Sequence, residues 1–126
     1  MARGAEQPVD LAVALRWLGG DRRLLGELVA IFVDDGPKRL QAIHAALIAS
    51  DARQVEHVAH NLKGSAAILG ATGLQTAALA LEDAAHDGHT ENGPDLVAQI
   101  AQELGRVIAF FADPAWTDRL DHEATT

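Results

Sequence analysis

Residues 52–69 read ARQVEHVAHNLKGSAAIL, and apolar side chains return at Val55, Val58, Ala59, Leu62, Ala66 and Leu69. Steps of three and four follow one face of an α-helix. Ser50 or Asp51 stands where an N-cap belongs, and Gly70 ends the pattern. The opposite face is polar and carries histidines, so this helix needs partners for its apolar stripe only.

The flanking chain supplies them. Downstream, Thr72 can cap a helix through Ala85 with Leu74, Ala77, Ala78, Leu81 and Ala85 inward. A polar loop covers His86 to Gly93. Pro94 then opens a last helix with Val97, Ile100, Leu104, Val107, Ile108 and Phe111 on one stripe. Upstream, Asp21 caps a long segment from Arg22 to Ala49 whose stripe is Leu25, Leu28, Phe32, Leu40, Ile43 and Leu47. The phase survives Gly36-Pro37, which predicts one kinked helix. A short helix from Pro8 to Leu18, with Leu11, Leu15 and Leu18 inward, ends at Gly19-Gly20. No stretch alternates with period two, so no sheet is expected. The pattern predicts an all-α fold: an antiparallel four-helix bundle over residues 8–112 with a short extra N-terminal helix. Residues 1–7 read as a flexible leader and 113–126 as a loose polar tail.

Composition narrows the chemistry. The 126 residues suit one domain, and the 48% hydrophobic content is mostly aliphatic, with aromatics only 4% of the chain. There is no cysteine, which removes disulfides, thiolate nucleophiles and Cys-ligated metals. No apolar run is long enough to span a membrane, and the N-terminus lacks a secretory h-region. A cytoplasmic protein is the default expectation. The formal net charge of −8 argues against a nucleic-acid surface.

On the central helix, successive residues turn by roughly 100°, which points His60 roughly 160° away from buried Leu62. His60 is therefore expected in solvent. Imidazole is a good nucleophile near neutral pH because its ordinary pKa is about 6.5. Four residues on, where a side chain would lie against the ring, stands Gly64. A helical glycine costs about 1 kcal/mol relative to alanine, so this one suggests cleared space. Lys63 can bring an ammonium to a phosphoryl oxygen. Each residue also has a plainer reading: a solvated histidine, a surface charge, a glycine at a helix–helix contact. Together they point to a phosphate site.

The stretch Ala59-His60-Asn61-Leu62-Lys63-Gly64-Ser65, continuing to Gly70-Ala71, resembles the signature of histidine-containing phosphotransfer (HPt) domains. Leu18-Gly19-Gly20-Asp21, Phe32-Val33-Asp34-Asp35-Gly36-Pro37 and Leu81-Glu82 resemble other parts of the family, so the likeness runs from about Val9 to Phe111. The resemblance implies that His60 accepts the phosphoryl group, Lys63 steadies it electrostatically and Gly64 leaves room for it and for a docking partner. It implies a phosphocarrier and not a kinase, in keeping with the absence of any nucleotide-binding motif. His60 would take a phosphoryl group from the aspartate of a receiver domain and pass it to, or back to, another. Mg2+ would come from the receiver, and the chain would need no cofactor of its own. Partners would be response-regulator receivers, with a hybrid sensor histidine kinase as a further candidate; no nucleic acid, no membrane, and a monomeric state are expected. The family generally uses Nε2 of the ring. Gln75 and Glu82 lie on the neighbouring helix without an assigned role, and Ser65 reads as structural.

A second apolar row on the first helix, Val9, Val13 and Trp17, turns away from its core stripe. It either packs on the tail around Trp116 or stays exposed. Exposure is the favoured expectation, since the resemblance implies that receivers dock by an apolar patch beside the active histidine. Val13, Trp17, Ala67 and Ile68 are the candidates for that patch. Two other functions stay open: a metal-binding bundle, suggested by the pairs His57/His60 and His86/His89, and a helical adaptor without phosphotransfer. Against metal, neither H-E-x-x-H nor the E-x-x-H of di-iron bundles occurs. The Met1 start and short tails favour a stand-alone protein over an excised domain. Cognate partners, direction of transfer and pathway output are not legible.

Overall fold

The computed structural model describes residues 7–125, with side chains described to Leu120; most of the expected leader lies outside. Six helices follow in order: α1 Leu11–Trp17, α2 Arg22–Ile48, α3 Ala52–Ile68, α4 Thr72–His86, α5 Gly93–Ala112 and α6 Trp116–Thr125. There is no strand among the described residues. Helices α2 to α5 form the bundle, with α2 on α3, α3 on α4, α4 on α5 and α5 back on α2. Fully enclosed Leu25, Ile43, Leu62, Leu74, Leu81 and Ile100 come from all four.

Each start has a local cause. Asp10, Asp21 and Asp51 place a carboxylate oxygen on the first free amides of α1, α2 and α3. Of the two proposed caps for α3, Asp51 is the one used; Ser50 takes a left-handed φ of 57° as the chain leaves α2. Thr72 is not a cap: Ala71 occupies that position without a side-chain bond, and Thr72 is already helical.

The inward stripes of α3 and α4 are those the periodicity predicts. Helix α2 is rotated slightly: Val29, Gly36 and Ala46 are buried while Leu28, Leu40 and Leu47 are only half-buried. Gly36 explains the rotation. A Cβ there would come within 3.0 Å of a Leu104 methyl, so the missing side chain lets α5 approach closely. The helix runs through Pro37 as one element.

Two expectations about the ends are corrected. The first helix begins at Leu11, after an extended Asp10 with φ −109° and ψ 100°. Val9 is therefore off the helical lattice, and instead of lying outward with Val13 and Trp17 it is buried at 3% exposure. The Asp10 amide donates to the Gly70 carbonyl at 2.9 Å, tying this entrance to the α3–α4 turn. The tail beyond Asp113, expected to be loose, forms α6 and packs on α1. The Asp113 carboxylate accepts from the Ala115 amide at 2.9 Å, Trp116 meets Phe111 edge to face at 5.2 Å, and the Arg119 guanidinium stands 5.5 Å over Phe110. Leu120, one turn after Trp116, is buried.

Candidate functional site

Helices α3 and α4 form a tight hairpin about the Leu69–Ala71 turn. Ala59 and Ala66 on α3 and Ala77, Ala78 and Ala85 on α4 are buried small residues, which lets the two packed backbones lie close. Ala71 lies midway between His60 and Glu82, 11 residues from each. In an antiparallel hairpin, residues equidistant from the turn stand opposite one another. This symmetry assigns Glu82 as His60's neighbour, and the linear motif alone did not.

The contact is close. His60 Nδ1 lies 2.7 Å from Glu82 Oε2, while the His60 side chain is 61% exposed and Glu82 is 15% exposed. The other carboxylate oxygen, shut off from solvent, faces the Lys63 ammonium at 2.7 Å. One carboxylate thus holds both functional candidates of α3. The hydrogen bond from Lys63 holds the Glu82 carboxyl below its ordinary range; burial works against this, and His60 adds to the lowering. An ionised carboxylate only accepts, so the hydrogen sits on His60 Nδ1. In the neutral ring Nε2 then carries the lone pair.

Gly64 has nothing within 4 Å of where its Cβ would be. The glycine is therefore not a helix–helix contact, and the space beside the His60 ring is open. Ser65 is half-buried.

The candidate docking residues fall on two patches. Trp17 is 67% exposed, and with half-buried Val13 and exposed Arg16 it lines a shallow concavity on α1. Trp17 does not pack on Trp116, which lies against Phe111. Ala67 is half-buried, and Ile68, 38% exposed, lines a groove between α3 and α2 together with Leu28, Ile31, Phe32 and Leu69. Ile31, 60% exposed, escaped the sequence reading because its neighbour Phe32 carries the core phase. The Arg39–Asp35 ion pair also lines that groove.

The remaining histidines separate. His57 contacts Asn61 at 3.4 Å, and His86 Nδ1 lies 2.9 Å from Glu56 Oε2. Among the described residues no three His, Asp or Glu side chains are grouped to hold a metal ion, and no helix is long and apolar enough to cross a membrane.

Comparison with known proteins follows the same lines. The family model of the Hpt domain matches residues 27–110. The chain is similar to the crystal structure of histidine-containing phosphotransfer protein B (HptB) from Pseudomonas aeruginosa PAO1. That match has a TM-score of 0.81 and 29% identity, and covers 89% of this chain and 97% of that one. No curated protein sequence matches. With two thirds of the chain inside the family model and its histidine seam laid out as above, the protein belongs to the Hpt domain family, the phosphotransfer intermediates of phosphorelays.

Proposed function

We propose that His60 is the phosphoryl acceptor, reacting through Nε2, and that the donor and acceptor are aspartates of receiver domains. The observation that carries this reading is the Glu82 contact at Nδ1. It fixes the tautomer and leaves Nε2 as the free nucleophile on an exposed ring. In the transfer, the Nε2 lone pair forms a bond to phosphorus as the bond to the aspartate oxygen breaks and the carboxylate leaves. Nδ1 keeps its hydrogen, so the ring becomes cationic. The Glu82 carboxylate already faces that nitrogen, so it stabilises the charge as it develops without reorganising. Return transfer runs the same steps backwards.

Lys63 supplies the charge opposite. Its ammonium rests on Glu82 and, once the phosphoryl group arrives, shares itself between carboxylate and phosphoryl oxygens. Gly64 leaves the volume for that group and for the receiver's approach. The Mg2+ for the reaction comes with the receiver's acidic pocket, and no residue of this chain is assigned to it. Docking is assigned to the exposed apolar residues Trp17 and Ile68 with Val13 and Ala67. The chain acts as a carrier and not a kinase, and its place of action is the cytoplasm.

The experiment is phosphotransfer from phosphorylated receiver domains to wild type and His60→Gln. Wild type should take up phosphate and return it to a second receiver. The variant should take up none while keeping its helical melting transition, since the ring lies outside the core. Phosphate retained on His60→Gln would overturn the assignment.

A further inference from the structure

A second histidine–carboxylate pair lies beside the first on the α3–α4 seam. Ala71 is midway between Glu56 and His86, 15 residues from each, just as it is between His60 and Glu82. The polarity is reversed: here α3 gives the carboxylate and α4 the imidazole. His86 Nδ1 is 2.9 Å from Glu56 Oε2, with the side chains 72% and 35% exposed. Glu56 precedes His60 by four residues, so the two are helix neighbours, about 5–6 Å apart at Cβ. His60 thus stands between two carboxylates, each with a basic side chain on it. Glu82 has Lys63 and His60; for Glu56 the partner is His86.

Resting on the reading of His60 as acceptor, we propose that His86 is a positioning residue that neutralises Glu56 beside the phosphoryl site. Protonated His86 favours phosphorylation of His60, and its deprotonation leaves a bare carboxylate that opposes it. The phosphoryl group is anionic, so an uncompensated carboxylate one turn away repels it during approach and after transfer. The hydrogen bond and charge of Glu56, with Asp87 and Asp83 adding, raise the pKa of His86 above its ordinary 6.5. The pair therefore stays charged to higher pH than a free imidazole would allow. Other ionisable groups at this end are Arg53, His57 and His60 on α3, Glu82, Asp83 and Asp87 on α4, His89 and Glu91 in the following loop, and Asp95 in the first turn of α5. Arg53 stands one turn before Glu56 and is the other cation able to cover it.

Potassium phosphoramidate is the probe, because it needs no receiver. His60 Nε2 bonds to phosphorus, the phosphorus–nitrogen bond of the donor breaks, and ammonia leaves and takes a proton from solvent. Phosphate on His60 is followed by peptide mapping for wild type, His86→Gln and Glu56→Gln/His86→Gln, from about pH 6 to pH 9. At the acid end of that range, where His86 carries its proton, His86→Gln should phosphorylate about two- to fivefold more slowly, the scale of one unit charge across partly screened solvent. The double variant should recover the wild-type rate, which a merely structural role for His86 would not allow. The gap between wild type and His86→Gln should close as His86, followed by NMR, loses its proton. Equal rates for wild type and His86→Gln throughout would overturn the inference, with Arg53 or solvent covering Glu56; so would failure of the double variant to recover. Wild type with no phosphate on His60 would overturn the acceptor reading itself, and this inference with it.

Discussion

At the residue scale, the account rests on one carboxylate that holds two side chains. Glu82 is ionised and anchored by Lys63 and His60, so its contribution to stability has a definite sign. A depressed carboxyl stabilises the fold above its ordinary value, about 4.5, and that contribution is lost as pH falls through the depressed value. Urea midpoints from neutral pH into acid should therefore fall more steeply for wild type than for Glu82→Gln; parallel curves would show that the contacts carry no net stabilisation. Lys63→Ala should slow transfer or shorten the phosphohistidine lifetime severalfold, the scale of a contact worth roughly 0.2–1 kcal/mol, with unchanged kinetics as the contrary result. Gly64→Leu should keep or raise the melting temperature, since leucine is the better helix former, while transfer is lost; normal transfer would contradict the clearance argument. Angular position on a regular helix singled out His60, Lys63 and Gly64, and the family resemblance supplied the roles expected of them. Glu82 was not assigned a role, because its contact depends on how α4 folds back. Distance from the turn is the signal that finds it.

At the scale of elements, periodicity located the four bundle helices because each buries one face. It failed where a residue left the helical lattice or a side chain was missing. Val9 precedes an extended cap, and Gly36 draws α5 inward and rotates α2. The tail's signal was present as Trp116 and Leu120, one turn apart, but its polar composition hid the helix that carries them. Two glycines test these element-level causes in opposite directions. Gly105 lies in α5 with nothing within 4 Å, so Gly105→Ala should stabilise by about 1 kcal/mol in urea unfolding. Gly70 has φ +69°, and a Cβ there would fall 2.3 Å from the Asp10 carbonyl oxygen. Gly70→Ala should cost more than the ~1–2 kcal/mol of the left-handed conformation alone, because the α1 entrance must also move. Equal small effects at both sites would contradict this reading of the turn.

At the scale of the whole molecule, the bundle carries the exposed His60 ring on α3, and exposed apolar surface lies on α1 and at the α2–α3 groove. Trp17 on α1 and Ile68 with Ile31 at the α2–α3 groove are exposed, and docking is proposed there. Trp17→Ser and Ile68→Ser should weaken receiver binding while the melting transition barely shifts, because neither side chain is in the core. A large stability loss with intact binding would remove the docking assignment. The net charge of −8 and the lack of a cysteine framed the class of protein, but neither could say where a partner sits. The proposed function asks one event of this arrangement, the arrival of phosphorus on a particular nitrogen. The most direct measurement is nitrogen and phosphorus NMR on protein labelled at histidine, before and after phosphorylation by a receiver domain. Phosphorus coupled to His60 Nε2, with Nδ1 still protonated and bonded to Glu82, is the result the structure predicts. Phosphorus on Nδ1, or on His57 or His86, would contradict it.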